Sequence, residues 1–184
     1  MLEATKPLAP ETVVAVVRAA TRTLFDTMIG GVAEELPEYR TSTVVEDEES
    51  IFCLIGFSGQ MVGSGSLHCS RKCALQLASA LLLTPYEEVD AEVLDAVAEI
   101  TNMIVGNFKT AMEDDYGVLG ISTPTVIYGQ RYAARNFGSC EWVVVPFRYE
   151  EQDFDIRISL QPDRTLQKQI ERFLKHQNTP ETHQ

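Results

Sequence analysis

Val93, Val97, Ile100, Ile104, Phe108 and Ala111 recur at helical spacing in the middle of the chain. At roughly 100° per residue they fall on one face, which predicts a long amphipathic helix with one apolar stripe to bury. The surface that can cover such a stripe is written beside it. Residues 51–58 are a nearly continuous apolar run and read as a buried strand. Gly59-Gln60 turns that run into residues 61–69, making a hairpin. Gly63 and Gly65 within the second strand predict close approach by another backbone.

The other elements follow from local punctuation. Residues 1–10, with Pro7 and Pro10, read as a flexible lead-in, and a helix over 11–29 stops at Gly30-Gly31. Residues 41–46 read as a strand and Asp47-Glu48-Glu49 as a turn. Ser70 caps a helix over 71–83. Thr84-Pro85-Tyr86-Glu87 is a start signal for the long helix, with Asp90 as an alternative cap. That helix runs to about residue 112 and is broken by 113–117. Residues 121–128, 141–149 and 154–160 read as three strands. The last alternates, with Phe154, Ile156, Ile158 and Leu160 inward and Asp155, Arg157 and Ser159 outward. Asp163 can cap a final helix to about 176, followed by a disordered tail over 177–184.

Helix, three strands and helix thus occur twice. This order predicts an α+β, sandwich-like fold, a single domain over 11–176. Its two pseudo-symmetric halves, about 11–83 and 84–176, would form a mainly antiparallel sheet covered by helices.

Charge narrows the function. The formal net charge is −12, and so acidic a surface repels phosphate backbones, which argues against nucleic-acid binding. The longest dense apolar run, near 74–83, is too short to span a bilayer. The first residues lack a basic and then apolar leader, so a cytoplasmic location is expected. The four cysteines, Cys53, Cys69, Cys73 and Cys140, form no CxxC pair and read as reduced thiols.

Opposite the apolar stripe of the long helix lie Asp95, Glu99, Asn102 and Gly106. Polar outer faces are the default, so the bland reading is a solvated surface. The sharper one is a carboxylate and an amide working on chemistry that a partner completes. Gly106 weakens a helix by about 1 kcal/mol relative to alanine, and one reason to keep it is to let another molecule come close. Asn107 falls beside the apolar stripe and is expected to hydrogen-bond a backbone group.

Other constellations carry less. His68-Cys69 followed by Cys73 lacks the spacing of a common zinc motif. The same pair does not open a phosphatase loop of the HCxxxxxR type, because Leu75 stands where arginine is required. Gly63-Ser64-Gly65-Ser66-Leu67 has no GxxxxGK[ST] pattern, and no GxSxG elbow occurs.

The segment DAVAEITNMIVGNFKTAMEDDYGVLGISTPTVIYG, residues 95–129, resembles the signature of the CheC/CheX/FliY phosphatases of bacterial chemotaxis. That signature is an Asp, then Glu-x-x-Asn, then a proline about twenty residues on; here these are Asp95, Glu99, Asn102 and Pro124. The wording NMIVGN and STPTVIYG is similar to the CheX branch. The resemblance implies hydrolysis of the aspartyl phosphate on a CheY-like response regulator. It implies Asn102 as the group that aims a water, and Glu99 as the anchor for the receiver's lysine. Gly106 would leave room for docking, and Asp95 either helps docking or is plain surface. Mg²⁺ would belong to the receiver, with no cofactor bound by this chain. The first helix offers only Thr23 and Asp26 where a second Glu-x-x-Asn would fall, so one site per chain is expected. A homodimer through sheet edges is implied as well. The alternative is a non-catalytic dimeric scaffold in a signalling or flagellar-switch complex.

Overall fold

The computed structural model describes residues 8–46, 48–135 and 141–163. The lead-in over 1–7, Asp47 of the acidic turn, Cys140, and the expected final helix and tail from 164 onward lie outside the described residues. Among the described residues, three α-helices and ten strands make an α+β fold: α1 (Pro10–Leu24), α2 (Arg71–Leu82) and α3 (Ala91–Tyr116), with β1 (Glu34–Glu35), β2 (Tyr39–Thr41), β3 (Thr43–Glu46), β4 (Ser50–Gly59), β5 (Met61–Ser70), β6 (Leu119–Ile121), β7 (Thr125–Gly129), β8 (Tyr132–Arg135), β9 (Trp142–Tyr149) and β10 (Gln152–Pro162). No helix among the described residues is long and apolar enough to cross a membrane.

The main sheet runs β1-β9-β10-β5-β4-β6, with β2 also on β9 and β7 also on β4, and its pairings are antiparallel. The hairpin β4–β5 is its centre. Its inward residues Ile51, Cys53, Ile55, Leu67 and Cys69 are fully buried with Val97, Ile100 and Ile104 of α3 in the major core. Two glycines of β5 set the sheet's spacing. A Cβ on Gly63 would fall on the carbonyl oxygen of Ser159 in β10. A Cβ on Gly65 would lie 2.8 Å from Val105 Cγ2 of α3. The first is the predicted backbone approach; the second is a side chain of the long helix seated where a larger residue would lift it.

Several boundaries differ from the sequence reading for local reasons. The long helix starts at the alternative cap: Asp90 Oδ1 accepts from the Val93 amide at 3.0 Å. Thr84 instead turns back on α2, its amide donating to the Ser79 carbonyl at 3.2 Å. The helix also continues to Tyr116, which is buried, while Ala111 at the end of the expected stripe is exposed. The first helix ends in a π-helical turn, Phe25–Ile29, before Gly30. The single strand expected over 41–46 is two: β2 joins the main sheet, and β3 pairs with β8 in a separate ribbon. Strand β8 was not anticipated. The strand expected over 121–128 is broken between β6 and β7, which occupy opposite ends of β4.

A further correction concerns β10. Asp155, Arg157 and Ser159 were expected to face solvent, yet Arg157 and Ser159 are buried and Asp155 is half-buried. The sheet face away from the helices carries a second small core of Val44, Trp142 and Val144, with Ala134 of β8 packed on it. Arg157 forks onto both carboxylate oxygens of Asp155 and lies over the Phe52 ring. His68 sits between two acids, with Nδ1 3.3 Å from Asp155 and Nε2 3.0 Å from Glu46 of β3. Tyr132 of β8 bonds Ser50 at 2.9 Å. The ribbon is therefore tied to the sheet by this small apolar core and by polar groups at its edge.

Candidate functional site

Helix α3 presents its candidate residues on a fixed rod. Val93, Val97, Ile100, Ile104, Val105 and Phe108 are fully buried and lock its rotation. Thr101, also buried, returns its hydroxyl to the Val97 carbonyl at 2.7 Å, so it adds no loose polar group to the core. At the far end Lys109 pairs with Glu113 at 2.9 Å, and Glu113 accepts from the Leu119 amide at 3.1 Å. These hydrogen bonds, first from Lys109 and then from Leu119, hold the Glu113 carboxyl below its usual range. They clamp the helix exit to β6.

On the outer face Asp95 and Glu99 are exposed, and Asn102 and Gly106 are half-buried. The four lie on one side of the helix, as their spacing predicted. A Cβ added at Gly106 would meet no atom within 4 Å. Nothing in the chain's described neighbourhood therefore requires glycine there, unlike at Gly65. Asn107 is a correction: it is exposed rather than tucked beside the apolar stripe. Pro124 stands at the break between β6 and β7, where the chain crosses from one end of β4 to the other. Next to it, Ser122 exchanges two bonds with Gly56, donating its amide to the Gly56 carbonyl and accepting the Gly56 amide on Oγ, each at 2.9 Å.

Two shallow grooves border this face. One, of about 440 Å³, contains Asn102, Gly106 and Asn107 with Lys109 and Thr110 of α3 and the start of β6. The other, of about 480 Å³, lies toward the N-terminal end of α3 and contains Asp95 and Glu99 with Leu82, Tyr86, Glu92 and Ala96. Glu99 and Asn102, one helical turn apart, stand between them. Leu82, Tyr86 and Glu92 were missed by sequence reasoning. A signal for Leu82 was present in Leu82-Leu83, two adjacent leucines at the end of α2, both of which stay exposed.

The zinc-like grouping of His68, Cys69 and Cys73 separates in three dimensions. Strand alternation sends His68 to the ribbon side of the sheet while Cys69 and Cys73 enter the helix-side core. Among the described residues no group of three or more His, Cys, Asp or Glu is arranged to hold a metal ion.

With this geometry in hand, the chain can be set beside known proteins. Residues 51–148 match the family described as chemotaxis phosphatase CheX. The CheY-P phosphatase CheX of Thermotoga maritima is 27% identical over 148 residues, covering 79% of this chain and 95% of that protein. The structure of chemotaxis protein CheX from Desulfovibrio desulfuricans superposes with a TM-score of 0.71 at 23% identity, covering 81% of this chain and 99% of the other. A chain of the CheX-CheY-BeF3-Mg²⁺ complex from Borrelia burgdorferi superposes with a TM-score of 0.63 at 23% identity, covering 82% and 96%.

Proposed function

The chain belongs to the chemotaxis phosphatase CheX family, and from that premise we propose that it hydrolyses the aspartyl phosphate of a CheY-like response regulator. The observation that carries the reading is the outer stripe of α3. A carboxylate and an amide stand one turn apart on a helix locked by its buried face, beside a glycine with open space over it. The relative from Thermotoga maritima is a CheY-P phosphatase, and the Borrelia burgdorferi complex joins a CheX to CheY with BeF3 and Mg²⁺. Both support the same reaction for this chain.

Phosphoryl transfer needs little covalent help from a protein; positioning and electrostatics supply most of the rate. Asn102 is assigned the attacking water. Its amide oxygen accepts a water hydrogen and aims the water's lone pair at phosphorus, in line with the aspartate oxygen that leaves. The new P–O bond to water forms as the acyl-phosphate P–O bond breaks, giving inorganic phosphate and a free aspartate. Glu99 is assigned an ion pair with the receiver's lysine, which fixes the distance from helix to phosphate. Asp95 adds a docking carboxylate, and Gly106 lets the receiver's backbone approach. Mg²⁺ is assigned to the receiver, where it neutralises the phosphoryl oxygens.

The test is the phosphate lifetime of purified receivers from the same genome. The wild-type chain shortens it for its cognate receiver. Asn102→Ala lowers the rate by about a hundredfold or more, as loss of an aligned reactant does, and Glu99→Ala cripples it. Full activity in both variants would sink the assignment, whereas tight receiver binding with an unchanged lifetime would favour a scaffold. A homodimer belongs to the same proposal. Among the described residues β7 pairs with β4 on one side, and it carries exposed Ile127 and Tyr128 (42% and 36%). Light scattering that returns a monomer mass at assay concentrations would rule the dimer out.

A further inference from the structure

The chain leaves two consecutive leucines outside its core where α2 ends. Leu82 is 41% exposed and Leu83 is 89% exposed. Leu82 does not stand alone: with Leu81, Tyr86 and Ala96 it forms the apolar part of the groove at the N-terminal end of α3. Glu92, Asp95 and Glu99 edge that groove on successive turns of the helix, and none of its lining residues is basic. Three carboxylates around an apolar floor, with no cation among them, form a surface of one sign.

The wall of the groove is held in place. The Tyr86 hydroxyl donates to the Glu92 carboxylate, and the Tyr86 amide donates to Ser79 Oγ at 2.9 Å. Thr84 also donates its amide to the Ser79 carbonyl, so the turn after α2 is pinned to α2 itself. A groove built this way costs little ordering when something binds. Its position adds the last constraint. Glu99 is both an edge of this groove and the proposed anchor for the receiver's lysine, so a receiver engaged there must lie over Leu82.

We propose that this groove selects the receiver, by taking a surface segment on which an apolar side chain stands beside a lysine or arginine. The inference rests on the phosphatase reading and names the part of the partner that the reading leaves open. Apolar burial against Leu82 and Tyr86 supplies affinity, while the three carboxylates supply orientation and reject receivers that are acidic at that place. The groove on the other side of Asn102 carries Lys109 rather than acids at its edge. Lys109 is itself paired with Glu113, so the acidic edge lies on one side of the site only and gives a bound receiver a preferred direction.

The test separates recognition from chemistry. Dephosphorylation of one cognate receiver, loaded by a small-molecule phosphodonor, is followed at increasing receiver concentration. The variants are Leu82→Ser and Glu92→Gln; the second keeps an acceptor for Tyr86 and removes only the charge. Both raise KM, Leu82→Ser by about tenfold, the loss expected for one apolar anchor, while kcat stays at the wild-type value. Wild-type KM in both variants overturns the groove and leaves the phosphatase reading intact. A loss that falls on kcat with KM unchanged overturns it too, because the groove would then serve the reaction and not the choice of partner. If wild type shortens no receiver's phosphate lifetime, the phosphatase reading itself fails, and the groove loses its occupant with it.

Discussion

Gly106 shows how a residue that weakens the fold can be explained by what the fold does. A glycine inside a helix costs about 1 kcal/mol relative to alanine, and the space over this one is open within the chain. Gly106→Ala should therefore stabilise the protein by up to about 1 kcal/mol in chemical denaturation, since no neighbour must move. The same methyl group should slow receiver dephosphorylation, and a larger side chain, Gly106→Leu, should slow it further while still folding. A stabilised variant with full activity at both sizes would mean that nothing docks over this turn. Glu99 and Asn102 differ from Gly106 in what their substitution should leave behind. Neither is buried in the core, so replacing either should move activity and leave the unfolding midpoint near that of wild type.

Helix α3 holds those residues in register because β5 makes room for it. Val105 rests where a side chain on Gly65 would stand. Gly65→Val should force α3 off the sheet and cost about 1–3 kcal/mol, the usual penalty for overpacking; an unchanged denaturation midpoint would show that the contact is soft. Asp90→Ala removes the cap on the Val93 amide and should cost about 1 kcal/mol, against no cost for Thr84→Ala if the helix begins where Asp90 places it. This helix was largely legible in the sequence. Its buried face, its exposed stripe and one of its two cap candidates follow from periodicity and capping chemistry alone. What stayed illegible depends on partners far apart in the chain. Thr41 to Glu46 looks like one strand, but the bend at Ser42 sends its halves to different sheets, and β8, the partner of β3, lies about ninety residues away along the chain. Asn107 sits at the border between faces, where a small rotation decides between core and solvent. The candidate pair was easy to place for the opposite reason: its exposure needs only the helix's own period.

The molecule as a whole has two faces held by different forces. On one, helices cover the main sheet through apolar burial; on the other, the β3–β8 ribbon rests on a small apolar core of Val44, Trp142 and Val144 edged by His68, Glu46 and the Asp155–Arg157 pair. On that second face Asp155 responds to pH. Burial alone would raise the Asp155 carboxyl, but the hydrogen bonds from Arg157 and His68 outweigh it and hold the group below its ordinary range. A carboxyl with a depressed folded value gives its full stabilisation above the unfolded value, about 3.9, and loses it as pH falls through the folded value. Thermal unfolding should therefore show stability declining from about pH 4 downward. Asp155→Asn strips the negative charge from a buried Arg157, so it should lower stability at pH 7 by about 3 kcal/mol and flatten that acid limb. Hydrogen exchange would locate the effect, since the ribbon strands should lose protection in acid before α3 does. A variant as stable as wild type at pH 7, with the same acid limb, would mean that the buried pair contributes nothing to holding the two faces together.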